Sequence, residues 1–325
     1  MVGWAMIGCG SVTEVKSGPG LYKAERSSLI GVYNRTQSRA EDWVARHKAG
    51  KVYGSLEKLL GDPAVDIVYI ATPPDSHLFY TQACAEAGKA VYCEKPMART
   101  YREAQAMVGL CETHQVPLYS AYYRRGLSKF HQIKGLLESG AIGAVQSVSI
   151  LMQKEVSVEE RSESPPWRID PAISGGGHFH DIGSHALDLI DWFFGPITYA
   201  QGFGANRGGY YAADDQVVGH FQTEGGVSGM GLWLFNTHST LDVTTIYGEQ
   251  GKISYSVLAL DEPIVVETKK GKEILVSDPA PLHVAQPLIQ SIVDELLGIG
   301  VAPSTGASAA RTDWVLERLS APLQK

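Results

Sequence analysis

Apolar residues in the first third of the chain fall into short, nearly continuous blocks. Val2–Ile7, Ser28–Tyr33, Lys51–Tyr53, Asp66–Ala71 (DIVYIA), Ala90–Cys93 and Pro117–Tyr122 read as strands. Blocks of this kind suit a parallel sheet covered on both faces. Between them, Ser38–His47, Ser55–Leu60, Ser76–Ala87 and Thr100–His114 carry a helical period, with Ala40, Trp43 and Val44 on one face of the first. Strands alternating with helices predict an α/β domain with a doubly wound parallel sheet over residues 1–122.

From Leu127 the pattern changes. An amphipathic helix, Leu127–Leu137, is followed by strand-like runs at Val145–Val156, Ile197–Ala205, Gln216–Thr223, Gly226–Phe235, Leu241–Tyr247, Lys252–Leu258 and Ile264–Thr268. Turn signals at Glu224–Gly226, Glu249–Gly251 and Lys270–Lys272 separate several of them. This predicts an α+β domain, residues 123–325, built on an antiparallel sheet with helices. Two of those helices, His283–Leu297 and Ser308–Leu319, end the chain. In Gly226–Phe235, Met230, Leu232 and Leu234 alternate with Trp233 and Phe235, so both faces are apolar. Helices can cover one face. A second copy of the chain is the simplest cover for the other, giving a homodimer or homotetramer through this sheet.

Doubly wound sheets bind ligands beyond the carboxyl ends of their strands. After the first strand, Gly8 and Gly10 flank Cys9, and a helix-compatible stretch opens at Ser11 and Val12. That order, strand then glycine turn then helix start, suits a dinucleotide pyrophosphate. Thr13 replaces the third glycine of the full fingerprint, and Gly18–Gly20 cuts the helix short. After the second strand come Asn34, Arg35 and Thr36. An acidic residue would hold the ribose 2′-hydroxyl of NAD here, whereas Arg35 would pair with the 2′-phosphate of NADP. NADP is therefore the expected cofactor, with NAD the alternative. Past DIVYIA, Ala71, Thr72, Pro73 and His77 are placed at the cofactor, Thr72 and Pro73 against the nicotinamide ribose and His77 at the opening of the next helix. Glu94 and Lys95 end the Ala90–Cys93 strand, where the chain approaches the nicotinamide.

A third run, Gly175–His185 (GGGHFHDIGSH), separates Asp181 from His185 by four residues. On a helix that spacing puts both on one face, as a general base with a carboxylate to orient it. His178, His180, Asp181 and His185 also have metal-ligand residue types. Because the chain already carries a cofactor module, no metal is expected.

Composition narrows the class. Hydrophobic residues are 44% and charged residues 19%, as in ordinary globular proteins. A net charge of −7 with no basic block argues against nucleic acid as a partner. Cys9, Cys84, Cys93 and Cys111 have neither metal-site nor disulfide-framework spacing and read as free thiols in a reducing compartment. The N-terminus opens on an apolar strand with no leader-like segment, and no run is long enough to span a bilayer. A cytoplasmic protein without membrane association is expected.

Taken in order, GCGSV, ATPPDSH, EKP, WRIDP and GGGxxxDIGSHALDLIDWFFG resemble the Gfo/Idh/MocA oxidoreductase family across essentially the whole chain. The resemblance implies an N-terminal Rossmann domain and a C-terminal domain with a large, open, mostly antiparallel sheet covered by helices. It implies hydride transfer between NAD(P)(H) and a hydroxyl or carbonyl of a sugar, cyclitol or related small molecule. Lys95, Asp181 and His185 match the catalytic lysine, aspartate and histidine. Trp167 and Arg168 match a pair that contacts cofactor in some members, and Tyr123 and Arg124 lie in a segment that borders substrate. On this reading His185 moves the hydroxyl proton, Asp181 orients it, and Lys95 stabilises charge on the same oxygen, so the two domains meet at the reacting carbon. An NAD-dependent glycosidase and a non-catalytic dinucleotide- and sugar-sensing regulator are the alternatives within the same fold.

Overall fold

The computed structural model describes residues 1–321. The chain divides into two compact units. The first comprises Met1–Ala98, Arg102–Leu127 and Pro281–Ala310, and the second Arg99–Tyr101, Ser128–Ala280 and the chain from Arg311.

The first unit holds a six-stranded sheet of β1 (Val2–Ile7), β2 (Ser27–Tyr33), β3 (Lys51–Val52), β4 (Ile67–Ile70), β5 (Ala90–Cys93) and β6 (Leu118–Ser120), in the order β3-β2-β1-β4-β5-β6. Every pairing is parallel. This is the strand order of the dinucleotide-binding doubly wound sheet, whose direction reverses between β1 and β4. Each residue of β1, β4 and β5 is buried, as helices on both faces require. The helices are α1 (Gly20–Lys23), α2 (Gln37–His47), α3 (Leu56–Leu60), α4 (His77–Glu86) and α5 (Tyr101–Thr113).

The predicted boundary at residue 122 is corrected on one point. Residues 281–310, including α9 (Gln286–Leu296), belong to the first unit. Ala285, Leu288, Ile289, Ile292 and Val293 share a core cluster with Trp4, Met6, Leu21, Tyr69 and Tyr92. A Cβ on Gly20 would come within 2.8 Å of Ile289 Cδ1 and 3.3 Å of the Gln286 Cα, so α1 lies close against α9 here. The sequence pattern of α9 shows an apolar stripe but not which sheet it covers. The helix predicted from Ser11 is also reduced, to a 3₁₀ turn at Ser11–Thr13 followed by the short α1.

In the second unit an eight-stranded sheet runs β14-β13-β12-β11-β7-β10-β9-β8. Its strands are β7 (Val145–Gln153), β8 (Ile197–Ala205), β9 (Gln216–Thr223), β10 (Ser228–Leu234), β11 (Leu241–Gly248), β12 (Gly251–Tyr255), β13 (Ile264–Thr268) and β14 (Gly271–Leu275). Pairings are antiparallel except β7 with β10, which are parallel because β10 and β11 flank β7 on either side. β14 begins inside the predicted Lys270–Lys272 turn and was not anticipated. The helices are α6 (Ser128–Glu138), α7 (Pro171–Ser174), α8 (Ser184–Phe194) and the Arg311–Leu319 part of α10 (Gly306–Leu319).

β10 has the two faces expected of it. Trp233 is fully buried, and Phe179 meets it edge-on with ring centroids 4.9 Å apart. On the other face Met230 is 65% exposed. Among the described residues no helix is long and apolar enough to cross a membrane.

Candidate active site and cofactor cradle

The cradle is made mostly of backbone. Gly8 has φ +97°, and a Cβ there would lie 2.9 Å from the Ala71 carbonyl oxygen, so the β1 turn closes on the β4 turn only with glycine. Gly10 differs: a Cβ on it would meet only the Ala71 oxygen, at 3.8 Å. Its missing side chain leaves open space at the point where strand order reverses. That space suits the close backbone approach a dinucleotide phosphate needs, so the residues present fit the group. Thr13 takes the third glycine's position and is buried, with its hydroxyl donating to the Gly10 carbonyl at 2.7 Å.

Beyond β2, the Asn34 side-chain oxygen accepts the Thr36 N–H at 2.9 Å, a local turn that leaves no anion for a ribose hydroxyl. Arg35 and Thr36 are exposed, and the N-terminus of α2 has no side-chain cap. Burial pushes the Cys9 thiol up to about 11, so it stays protonated and inert at neutral pH.

Past β4, Thr72 accepts a hydrogen bond from Ser76, and Pro73 leads into a 3₁₀ turn at Pro74–Ser76. His77 is corrected from a cofactor contact to a structural clip. It is fully buried, with Nδ1 3.0 Å from the Met97 carbonyl oxygen and Nε2 2.8 Å from that of Thr72. Burial lowers its pKa, so the neutral ring sits between these two carbonyl oxygens and donates to one of them, tying the Thr72 turn to the Lys95–Met97 loop. Glu94 and Lys95 are both half-buried. The Tyr69 hydroxyl donates to Glu94 and lies 2.7 Å from Ser17 Oγ. Tyr69 was missed because it sits in an apolar strand with nothing in the pattern to set it apart.

Tyr123 and Arg124 lie on a 3₁₀ turn, Tyr123–Gly126, with the Arg124 guanidinium 4.9 Å from its neighbour's ring centroid. Arg124 and Arg125 are both buried, and Arg125 donates to the Pro303 carbonyl at 2.9 Å.

The proton-handling candidates lie in the second unit. Gly175 and Gly177 take positive φ. A Cβ on Gly176 would come within 2.2 Å of the His180 ring, so the glycine run folds flat against that imidazole. The chain then forms a π-turn, Phe179–Gly183, which runs directly into α8. The single helix expected for Asp181 and His185 is thus corrected: Asp181 is inside the π-turn and His185 in the first turn of α8. Single π-turns within helices are rare and recur at functional sites. His185 is 4% exposed and Asp181 half-buried. Arg168 Nε lies 3.5 Å from Asp181 Oδ2, and its guanidinium stacks 4.7 Å from the Trp167 ring centroid. The Trp167 and Arg168 pair is therefore joined to the candidate carboxylate, a link the residue spacing did not reveal.

The two neighbouring histidines are accounted for by other contacts. His180 is buried against Gly176, with its pKa pushed down to about 4 by desolvation. His178 Nε2 contacts Glu160 Oε1 at 2.7 Å. Among the described residues no three His, Cys, Asp or Glu side chains come together as a possible metal site.

Sheet order, glycine cradle and the Asp181–His185 run together define an oxidoreductase of the NAD-binding Rossmann class. Comparison with known proteins agrees. Residues 2–122 match the profile of the Gfo/Idh/MocA oxidoreductase family with its NAD-binding Rossmann fold, and residues 130–254 match the Gfo/Idh/MocA C-terminal domain. Oxidoreductase P35 of Formosa agariphila is 35% identical over 317 residues, covering 97% of each chain. The 1,5-anhydro-D-fructose reductase of Ensifer adhaerens is 24% identical over 290 residues, covering 86% of this chain and 84% of that one. Levoglucosan dehydrogenase, solved with NADH and levoglucosan, shares the fold with a TM-score of 0.84 at 20% identity, covering 98% of this chain and 96% of that one. The chain belongs to the Gfo/Idh/MocA family of NAD(P)-dependent oxidoreductases.

Proposed function

We propose that the enzyme moves hydride between NADP(H) and a hydroxyl-bearing or carbonyl carbon of a sugar, cyclitol or related polyol. The observation that carries this reading is the π-turn running into α8, which places Asp181, joined to Arg168, just ahead of a nearly buried His185. When bound, the nicotinamide supplies or accepts the hydride. His185 takes the hydroxyl proton in oxidation and returns it in reduction. Asp181 orients the imidazole and stabilises its cation. Lys95 donates a hydrogen bond to the same oxygen and offsets charge developing there. Tyr123 and Arg124 contact substrate hydroxyls. The substrate class is supported by the relatives, one an anhydro-sugar reductase and one a dehydrogenase solved with an anhydro-sugar.

The cofactor is held by Gly8, Gly10, Ser11 and Val12 at the pyrophosphate. Ala71, Thr72, Pro73, Glu94 and Lys95 lie toward the nicotinamide end, with Trp167 and Arg168. Preference for NADP is supported by the neutral Asn34, the exposed Arg35 and the uncapped start of α2, since a bidentate guanidinium at a helix N-terminus suits a phosphate.

A homodimer or homotetramer through the second unit's sheet belongs to the same proposal. The open face exposes Met230, Tyr199 and Tyr247 around a concavity of about 500 Å³. A cytoplasmic location is supported by the four free cysteines.

The test is a cofactor-absorbance screen against sugars, inositols and keto-sugars, in both directions and with both cofactors. Turnover of the nicotinamide with one such substrate supports the reading. Binding without turnover, or sugar release with no net change in absorbance, contradicts it.

A further inference from the structure

The second unit buries a charged cluster that this mechanism does not use. Glu160 and His178 are each 5% exposed. Glu160 Oε1 accepts from Lys154 Nζ at 2.8 Å and from His178 Nε2 at 2.7 Å. Glu160 Oε2 accepts the Ser157 N–H at 2.9 Å, and the Glu160 N–H donates back to Ser157 Oγ at 3.3 Å. That reciprocal pair is a capping box, formed by Ser157-Val158-Glu159-Glu160. One carboxylate therefore joins the end of β7, its own turn and the glycine-rich run.

The segment from Glu155 to Asp170 carries both Glu160 and Arg168. Its two side-chain contacts land three residues apart, the hydrogen bond between Glu160 and His178 and the ion pair of Arg168 with Asp181. Between those landing points begins the π-turn, which has no side-chain cap of its own. Val156, Ile169, Tyr211 and Ala213 form a small apolar cluster beneath the segment. The His178 ring is tilted against Phe235 at 5.4 Å and meets Tyr211 edge-on at 6.0 Å. A π-turn is less well bonded than an α-turn and persists where its surroundings hold it.

We propose that Glu160 and His178 are positioning residues, which hold the π-turn so that Asp181 presents its carboxylate to His185. This rests on the reading of Asp181 and His185 as the proton-handling pair. The charged groups facing His178 are Lys154, Glu160 and Asp181. Burial first, and then the Lys154 charge, push the His178 pKa down, so the ring is a neutral donor through Nε2.

The experiment compares Glu160→Gln and Lys154→Met with wild type in kcat, KM, cofactor Kd and the pH dependence of kcat. Glutamine still serves a capping box, but it offers one acceptor oxygen where glutamate offers two. We expect Glu160→Gln to stay folded and bind cofactor normally, and to lose ~10- to 100-fold in kcat, the scale of a misplaced catalytic group. Losing the anion beside Lys154 also makes the surroundings of His185 more positive, so the acid limb of kcat moves to lower pH. Lys154→Met removes a positive charge instead, and its acid limb moves to higher pH. Opposite shifts support the inference. Absent or same-direction shifts, or wild-type kcat in folded Glu160→Gln, overturn it. Should Glu160→Gln not fold, the Lys154→Met shift decides alone. If His185→Ala is inactive while Glu160→Gln behaves as wild type, only the positioning role falls. If His185→Ala is active, the proton-pair reading falls as well.

Discussion

Two glycine-rich turns carry the proposed chemistry, and they are built on different plans. At Gly8–Gly10, Gly8 lets the β1 turn close on the β4 turn, while Gly10 leaves open space in which a ligand would meet backbone N–H groups at a strand end. At Gly175–Gly177 the glycines clear room for the protein itself, letting His180 and Ala213 close on the main chain. The π-turn that comes next is tied down by side chains: Arg168 on Asp181 and Glu160 on His178. The first plan depends on a small set of backbone angles. The second depends on packing and side-chain contacts drawn from residues far along the chain. A backbone cradle should therefore fail through lost binding, and a side-chain site through lost rate.

The largest effect separates the two plans outright. His185→Ala should lose ~10²–10⁴-fold in turnover, the usual contribution of a general base, with cofactor Kd unchanged. Gly10→Ala should do the reverse. Its Cβ meets only one atom within 4 Å, at 3.8 Å, so the protein folds while titration shows cofactor binding lost. Equal losses of binding and rate in both variants would erase the distinction.

A smaller effect tests the side-chain plan from within. Asp181→Asn should lose less than His185→Ala in steady-state kcat, since the amide still holds the ring but cannot stabilise its cation. A loss as large as that of His185→Ala would mean the carboxylate does more than orient. On the cradle side, Arg35→Ala should weaken NADP by about tenfold or more, a charge-assisted hydrogen bond being worth ~1.5–3 kcal/mol. NAD binding should be left alone. Equal weakening of both dinucleotides would remove Arg35 from specificity.

An effect outside catalysis concerns acid stability. Desolvation by burial pushes the His180 pKa down from its ordinary value of 6.5 to about 4 in the folded protein. The unfolded chain therefore takes up its proton first. The stability from a neutral His180 is fully present above pH 6.5 and is lost as pH falls toward 4, by about 3 kcal/mol at most. Denaturant melts of wild type and His180→Phe across that range should show a shallower acid loss in the variant. Parallel curves would mean His180 is not the group responsible.

The same contrast explains what was legible in the sequence. The parallel sheet and its ligand end follow from apolar blocks alternating with helical periods, whereas the strand order is visible only in the structure, since such blocks fit more than one doubly wound order. Gly8 and Gly10 were legible because only backbone geometry is at stake there. At Asp181 and His185 the residue types and spacing were legible, but the π-turn was not, since it shares the sequence preferences of an α-helix. His77 was placed at the cofactor from its position at a helix start, yet its ring is fully buried between two backbone carbonyl oxygens. The placement of α9 on the first unit's core was hidden because its stripe fits either sheet. The reciprocal Ser157–Glu160 bonds were not read from the sequence and are seen only in the structure. The contact of Glu160 with His178, 18 residues away, carried no signal.

The central claim is that His185, not Lys95, is the proton acceptor in alcohol oxidation. The most direct test is the pH dependence of turnover in wild type, His185→Ala and Lys95→Met, with the substrate found by the absorbance screen. The account predicts that the rise of turnover with pH on the acid side vanishes in His185→Ala and survives, at a lower rate, in Lys95→Met. A rise that survives in His185→Ala and vanishes in Lys95→Met would contradict it and pass the role of base to the lysine.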